Sequence, residues 1–148
     1  MTSVLSLGSN LGDRMANLRL GVQVLEPVTV SRVFETQPWG LAEQPPFLNL
    51  VALCTWDAAE AWQRAQEAED QAGRERGERW GPRTLDVDVI QADGSDPALV
   101  LPHPHAHERA FVLIPWLDID PDAVLEGHGP ISGLPVDATT VRAVGALR

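Results

Sequence analysis

The sequence predicts a single α/β (α+β) domain with a ferredoxin-like βαββαβ core, in which an antiparallel sheet carries its helices on one face. Three observations predict it. Four short segments are apolar throughout or alternate apolar with polar residues, the period of strands, and two segments of three- and four-residue apolar spacing lie between them. The order reads strand, helix, strand, strand, helix, strand. The length of 148 residues, with no internal repeat or low-complexity stretch, suits one domain able to bury a core.

Residues 3–7 form a short buried strand closed by the turn-rich Gly8-Ser9-Asn10. Met15, Leu18, Val22 and Leu25 then mark an amphipathic helix that ends near Glu26-Pro27. In residues 28–34, Val28 and Val30 alternate with Thr29 and Ser31, which predicts a half-buried strand. Residues 36–46 hold three prolines and one glycine and read as a long loop. Residues 47–54 are mostly apolar and read as a central strand. Asp57 with Glu60 three residues on resembles a capping box, and the helix it opens places Ala58, Ala61, Ala65, Ala68 and Ala72 on one face before Gly73 and Gly77. Residues 84–90 are the fourth strand, and residues 99–101 are expected to return beside it. The core is taken as about residues 3–121. Residues 122–148 form a C-terminal extension whose pattern supports one short helix over 138–144.

Composition narrows the function. With 11 basic against 21 acidic side chains the formal net charge is −10, a poor match for a nucleic-acid backbone or an anionic membrane. The single cysteine, Cys54, leaves no intramolecular disulfide and no multi-cysteine zinc site. The first apolar run is too short for a signal-peptide core, and no run approaches the ~20 apolar residues of a membrane span, so a soluble cytoplasmic domain is expected. All 11 basic residues are arginine. A phosphate-loop lysine and Schiff-base chemistry are thereby excluded, so phosphate would have to be met by arginine, histidine, metal or backbone.

Asp86 and Asp88 stand two apart in a strand, so both carboxylates point to one face about 7 Å apart. Such a pair is either an exposed, solvated strand face or an oxygen site for Mg²⁺, which takes one or two carboxylates and completes its shell with water and phosphate. Arg74, Arg76, Arg79 and Arg83 lie just upstream, and the guanidinium fork matches phosphate oxygens. That neighbourhood favours a Mg²⁺–polyphosphate site. Asn49 interrupts an apolar run, so its buried amide must find either a backbone partner or a heterocyclic ligand, with Phe47 on the same face. His103, His105 and His107 alternate in a proline-rich loop, which fits a phosphate contact at His103 better than a zinc site.

These residues carry a resemblance. Leu7-Gly8-Ser9-Asn10-Leu11-Gly12-Asp13, Glu35-Thr36-Gln37-Pro38-Trp39-Gly40, Phe47-Leu48-Asn49, Gly73-Arg74, Arg79-Trp80-Gly81-Pro82-Arg83-Thr84-Leu85-Asp86-Val87-Asp88, Leu101-Pro102-His103 and Arg109-Ala110-Phe111 follow in order over about residues 4–121. Together they resemble the 6-hydroxymethyl-7,8-dihydropterin pyrophosphokinase family of the folate pathway, the block from Arg79 to Asp88 being the most specific. The resemblance implies a diphosphotransferase that moves pyrophosphate from ATP to the pterin's hydroxymethyl group and releases AMP. It implies two Mg²⁺ ions on Asp86 and Asp88, with Arg74 and Arg83 acting on the phosphates beside them. On the nucleotide side it implies Gln66, Glu69, Trp80, His103 and Arg109. For the pterin it implies Asn49 reading the ring edge, Phe47 and Phe111 on the ring faces, Asp86 nearby, and the backbone of Thr36, Gln37, Pro38 and Trp39. The expected partners are small molecules, with no nucleic acid or membrane, and the expected state is a monomer. A nucleotide hydrolase, an RNA-binding module of the same strand order and an inactive relative are the competing readings.

Overall fold

The computed structural model describes residues 3–36, 45–73 and 84–147. Strand β1 (Ser3–Ser9) is buried at every position, as an unbroken run of apolar and small residues must be when strands flank it on both sides. It runs further than expected: Gly8 and Ser9 stay in the ladder, opposite Asn49 and Leu48. The Asp13 carboxylate accepts from the Ala16 amide and opens helix α1 (Arg14–Leu25).

The strand expected over 28–34 is broken in two, β2 (Thr29–Val30) and β3 (Val33–Thr36). The break has a chemical cause. The Ser31 hydroxyl accepts from the Val51 amide (3.0 Å) and donates to the Arg32 carbonyl (2.7 Å), while the Arg32 amide donates to Asp118 (2.9 Å). Side chains thus take ladder positions that the backbone would have filled. Strand β4 (Phe47–Cys54) is central, as expected, and is buried from Leu48 onward. Asp57 caps α2 (Ala58–Gln71) by accepting from the Glu60 amide, and Ala58, Ala61, Ala65 and Ala68 form its buried face.

Strand β5 (Asp86–Ala92) follows. Residues 99–101 do not return as a strand. Leu99 closes a turn on Asp96, and the segment meets β5 through the His103 amide, which donates to the Ile90 carbonyl (2.7 Å). Pro102 and Pro104 lack the N–H groups that a ladder needs. A third helix, α3 (Ala110–Ile119), then leads to the hairpin β6 (Val124–Leu125) and β7 (Gly129–Pro130). The helix expected over 138–144 is instead one short turn followed by β8 (Val141–Gly145).

The sheet order is β5-β1-β4-β3-β8, with β2 also paired to β4 and every pairing antiparallel. The connection through α1 passes over β4 and that through α2 passes over β1, the two crossovers of the ferredoxin-like fold. Leu5, Leu7, Leu48, Leu50, Val87 and Val89 pack with α1 and α2 on one face. Val4, Val51, Leu53 and Ile90 pack with Val112, Leu113 and Trp116 of α3 on the other. The C-terminal extension is therefore part of the sheet through β8, and α3 adds a layer on the second face. Among the described residues no helix is long and apolar enough to cross a membrane.

Candidate active site

Strand alternation builds the site on the α3 face. In β5, Val87 and Val89 point to the α1–α2 core, as does Leu85 just before the strand, so Asp86 and Asp88 turn the other way and stay half-buried. The register sets Asp86 opposite Gly8 of β1, Gly8 opposite Asn49 of β4, and Asn49 opposite Phe34 of β3. One row across four strands thus carries a carboxylate, a bare backbone position, an amide and an aromatic ring.

Gly8 is a close approach. A Cβ there would lie 2.7 Å from Asn49 Nδ2 and 3.3 Å from Phe47 Cδ1, too near for either to stay in place. Asn49 is 4% exposed, and its Oδ1 accepts from the Thr36 hydroxyl at 2.7 Å. The sequence predicts a backbone or ligand partner for that amide; in the structure the partner is a side chain. Asn10 Nδ2 donates to the Pro45 carbonyl (3.1 Å) and Arg14 Nη1 to the Pro46 carbonyl (2.9 Å), which fixes the approach to Phe47.

The cations come from the α3 side. Arg109 Nη1 lies 3.7 Å from Asp88 Oδ2, and the guanidinium sits 5.5 Å from the centre of the Phe111 ring. His103 Nδ1 accepts from the His105 amide (3.1 Å), so its ring proton resides on Nε2. Burial first, then the charges of Arg109 and His105, lower the His103 pKa to about 4, against an opposing pull from Asp86. At neutral pH His103 is a neutral Nε2–H donor.

Asp86, Asp88, Asn49, Phe47, Thr36, His103, Arg109 and Phe111 are therefore gathered on one face. Glu69 lies at the outer edge of β5, where its Oε2 accepts from the Val87 amide (2.8 Å), and Gln66 is exposed one turn earlier on α2. Gln37, Pro38, Trp39, Arg74, Arg76, Arg79, Trp80 and Arg83 lie outside the described residues. Sequence reasoning did not find the Thr36 hydroxyl or the steric part of Gly8. A glycine inside an otherwise buried strand was the available signal, because such a residue weakens a strand unless something must come close. Among the described residues no three His, Cys, Asp or Glu side chains cluster as a metal cage. Two carboxylates on one face suit a hard divalent cation that draws its other ligands from water and phosphate.

The profile of the 7,8-dihydro-6-hydroxymethylpterin-pyrophosphokinase family matches residues 4–121. The chain belongs to this family. Similar proteins carry the name 2-amino-4-hydroxy-6-hydroxymethyldihydropteridine pyrophosphokinase. That of Mycobacterium leprae is 51% identical over 144 residues, covering 85% of this chain and 75% of the relative. That of Mycobacterium tuberculosis is 44% identical over 164 residues, covering 94% and 87%. That of Bacillus subtilis is 38% identical over 126 residues, covering 78% and 75%. As a member of the pyrophosphokinase family the protein is an enzyme, a diphosphotransferase.

Proposed function

We propose that this enzyme transfers the pyrophosphoryl group of ATP to the hydroxymethyl oxygen of 6-hydroxymethyl-7,8-dihydropterin in folate biosynthesis, releasing AMP, with Mg²⁺ on Asp86 and Asp88. The row Asp86–Gly8–Asn49 supports this reading, because a carboxylate suited to a metal-bound phosphate and an amide suited to a ring edge stand on either side of a bare backbone position. The hydroxymethyl oxygen attacks the β-phosphorus and a new O–P bond forms, while the bond between that phosphorus and the α,β-bridging oxygen breaks, its electron pair leaving on the oxygen of AMP and the hydroxyl proton passing to solvent. Such a transfer needs positioning and charge neutralisation and no covalent nucleophile. The metal, when bound, neutralises the phosphate oxygens. Arg109 offers a planar fork to the same oxygens, and the neutral His103 offers one N–H. Asn49 reads the pterin edge, with Phe47 and Phe111 against the ring. Arg74 and Arg83 complete the phosphate contacts in this reading, and Gln66, Glu69 and Trp80 flank the nucleotide. The enzyme acts as a cytoplasmic monomer on small molecules.

Mass spectrometry of the products from ATP, Mg²⁺ and hydroxymethyl-dihydropterin tests this. AMP and the pterin diphosphate in equal amounts are expected. Nucleotide cleavage of the same rate without pterin would identify a hydrolase and overturn the reading.

A further inference from the structure

We infer that Thr36 is a positioning residue: its hydroxyl holds the Asn49 carboxamide in one orientation and so makes the pocket select the 4-oxo form of the pterin ring. The inference rests on the substrate reading above and goes beyond it. A carboxamide is nearly symmetric in shape, so turning it over exchanges its oxygen and its NH₂ at almost no steric cost, and hydrogen bonding decides which end points where. Here Oδ1 accepts from Thr36 Oγ1 at 2.7 Å between two buried residues, 5% and 4% exposed. An amide oxygen is a stronger acceptor than a hydroxyl, so this arrangement is preferred to its reverse. The NH₂ is left over Gly8, where a Cβ would come within 2.7 Å of it. It lies on the side of the row that leads to Asp86, whose negative charge favours an N–H end over a carbonyl end.

The consequence is chemical. The pterin edge offers a ring N3–H donor beside a 4-oxo acceptor, and a fixed carboxamide matches that pair with Oδ1, which has a second lone pair, and Nδ2. In the 2,4-diamino analogue the pair is reversed, with N3 an acceptor and the 4-amino group a donor. An amide held in place rejects the reversed edge, whereas one able to turn over accepts both.

Affinities of 6-hydroxymethyl-7,8-dihydropterin and of 2,4-diamino-6-hydroxymethylpteridine would be measured calorimetrically for the full chain. Mg²⁺ and an ATP analogue with a methylene α,β bridge would be present, and the analogue's own affinity would certify each fold. Thr36→Val removes the hydroxyl at constant shape, and Thr36→Ala removes it with no added bulk should the valine variant not fold. Either should reduce the preference for the oxo ring by roughly tenfold, one hydrogen bond's discrimination, with nucleotide affinity unchanged. Thr36→Ser should retain the preference. A preference undiminished in the valine or alanine variant, or lost equally in the serine variant, overturns the inference while leaving the substrate reading intact. Failure of the unaltered enzyme to bind the dihydropterin overturns both.

Discussion

Asp86 and Asp88 occupy the half-buried face of an edge strand whose intervening residues are wholly committed to the core. Two like charges on one strand face repel, and beside the pairing of Asp88 with Arg109 at 3.7 Å the proposed metal-phosphate role gives the pair its reason. Asp86→Ala and Asp88→Ala are each expected to lower turnover by at least ~100-fold, the scale of a lost transition-state charge contact, with a melting temperature within a few degrees of the unaltered enzyme. Near-normal turnover at ordinary Mg²⁺ would remove them from the phosphate site; a large fall in melting temperature would make them structural. This pair was legible in the sequence because the two-residue period of a strand fixes a shared face without any tertiary information. The anomaly of Asn49 was equally legible, being a polar residue in an apolar run. Its partner was not. The bond from Thr36 and the approach of Gly8 depend on the register of three strands, and no local pattern encodes register between segments so far apart.

At the scale of elements, legibility followed amphipathicity. Helix α2 announced itself through Asp57, Glu60 and an alanine face, all of which do in the structure what their spacing predicts. Helix α3 did not, because Ala110–Ile119 is apolar nearly all round and holds Pro115, leaving no polar stripe to reveal a helical period. The strand β8 has one buried residue and four exposed ones, so it lacks the alternation that marks a strand. Two expectations concern helix placement. Gly21 lets α1 lie close on the sheet: a Cβ there would meet Leu7 Cδ2 at 2.7 Å and Leu85 Cδ2 at 3.2 Å, both in fully buried side chains. Gly21→Ala gains about 1 kcal/mol of helix propensity but incurs about 1–3 kcal/mol of overpacking, so a net fall in melting temperature of a few degrees is expected by calorimetry. A rise would show that the leucines yield readily.

The other concerns α3, whose last turn is tied to the β2–β3 break by Arg32, through its backbone amide to Asp118 Oδ2 and its side chain to Oδ1. Burial pushes the Asp118 carboxyl up, but the Arg32 side-chain and backbone hydrogen bonds and its charge outweigh that and hold it below 3.8. A carboxyl depressed in the folded state adds stability above its unfolded pKa of about 4, and that stability is lost as pH falls through the folded value. Asp118→Asn should therefore lower the melting temperature at pH 7 by about 2 °C, less at high salt, and the gap should close below about pH 4. A gap that persists in acid would mean that the link is not ionic.

At the scale of the whole molecule, the last strand ties the C-terminal residues to the edge of the sheet beside the proposed site. β8 joins β3 more than a hundred residues away in sequence, with Arg142 bonded to Glu35 at 2.8 Å. Its Val141 packs with Phe34 of β3 and Ala110 at the start of α3. Phe34 stands opposite Asn49 in the sheet, and Ala110 lies between Arg109 and Phe111, so this small cluster adjoins both halves of the proposed site at once. The comparison that isolates this role lies within β8 itself. Val141 is 8% exposed and Val144 is 43% exposed, on the same strand and with the same side chain. Removing two methyl groups from a packed position should cost about 1–2.5 kcal/mol, from transfer and residual cavity together, which corresponds to a fall of several degrees in melting temperature. The same change at a mostly exposed position should stay within about 0.5 kcal/mol. Val141→Ala is thus expected to melt well below Val144→Ala, as followed by circular dichroism on the two full-length variants. Because the cluster touches both halves of the site, Val141→Ala should also raise KM for both substrates together, unlike a change confined to one pocket. Equal melting temperatures for the two variants would mean that β8 contributes through its backbone ladder alone, and that the site is braced from elsewhere.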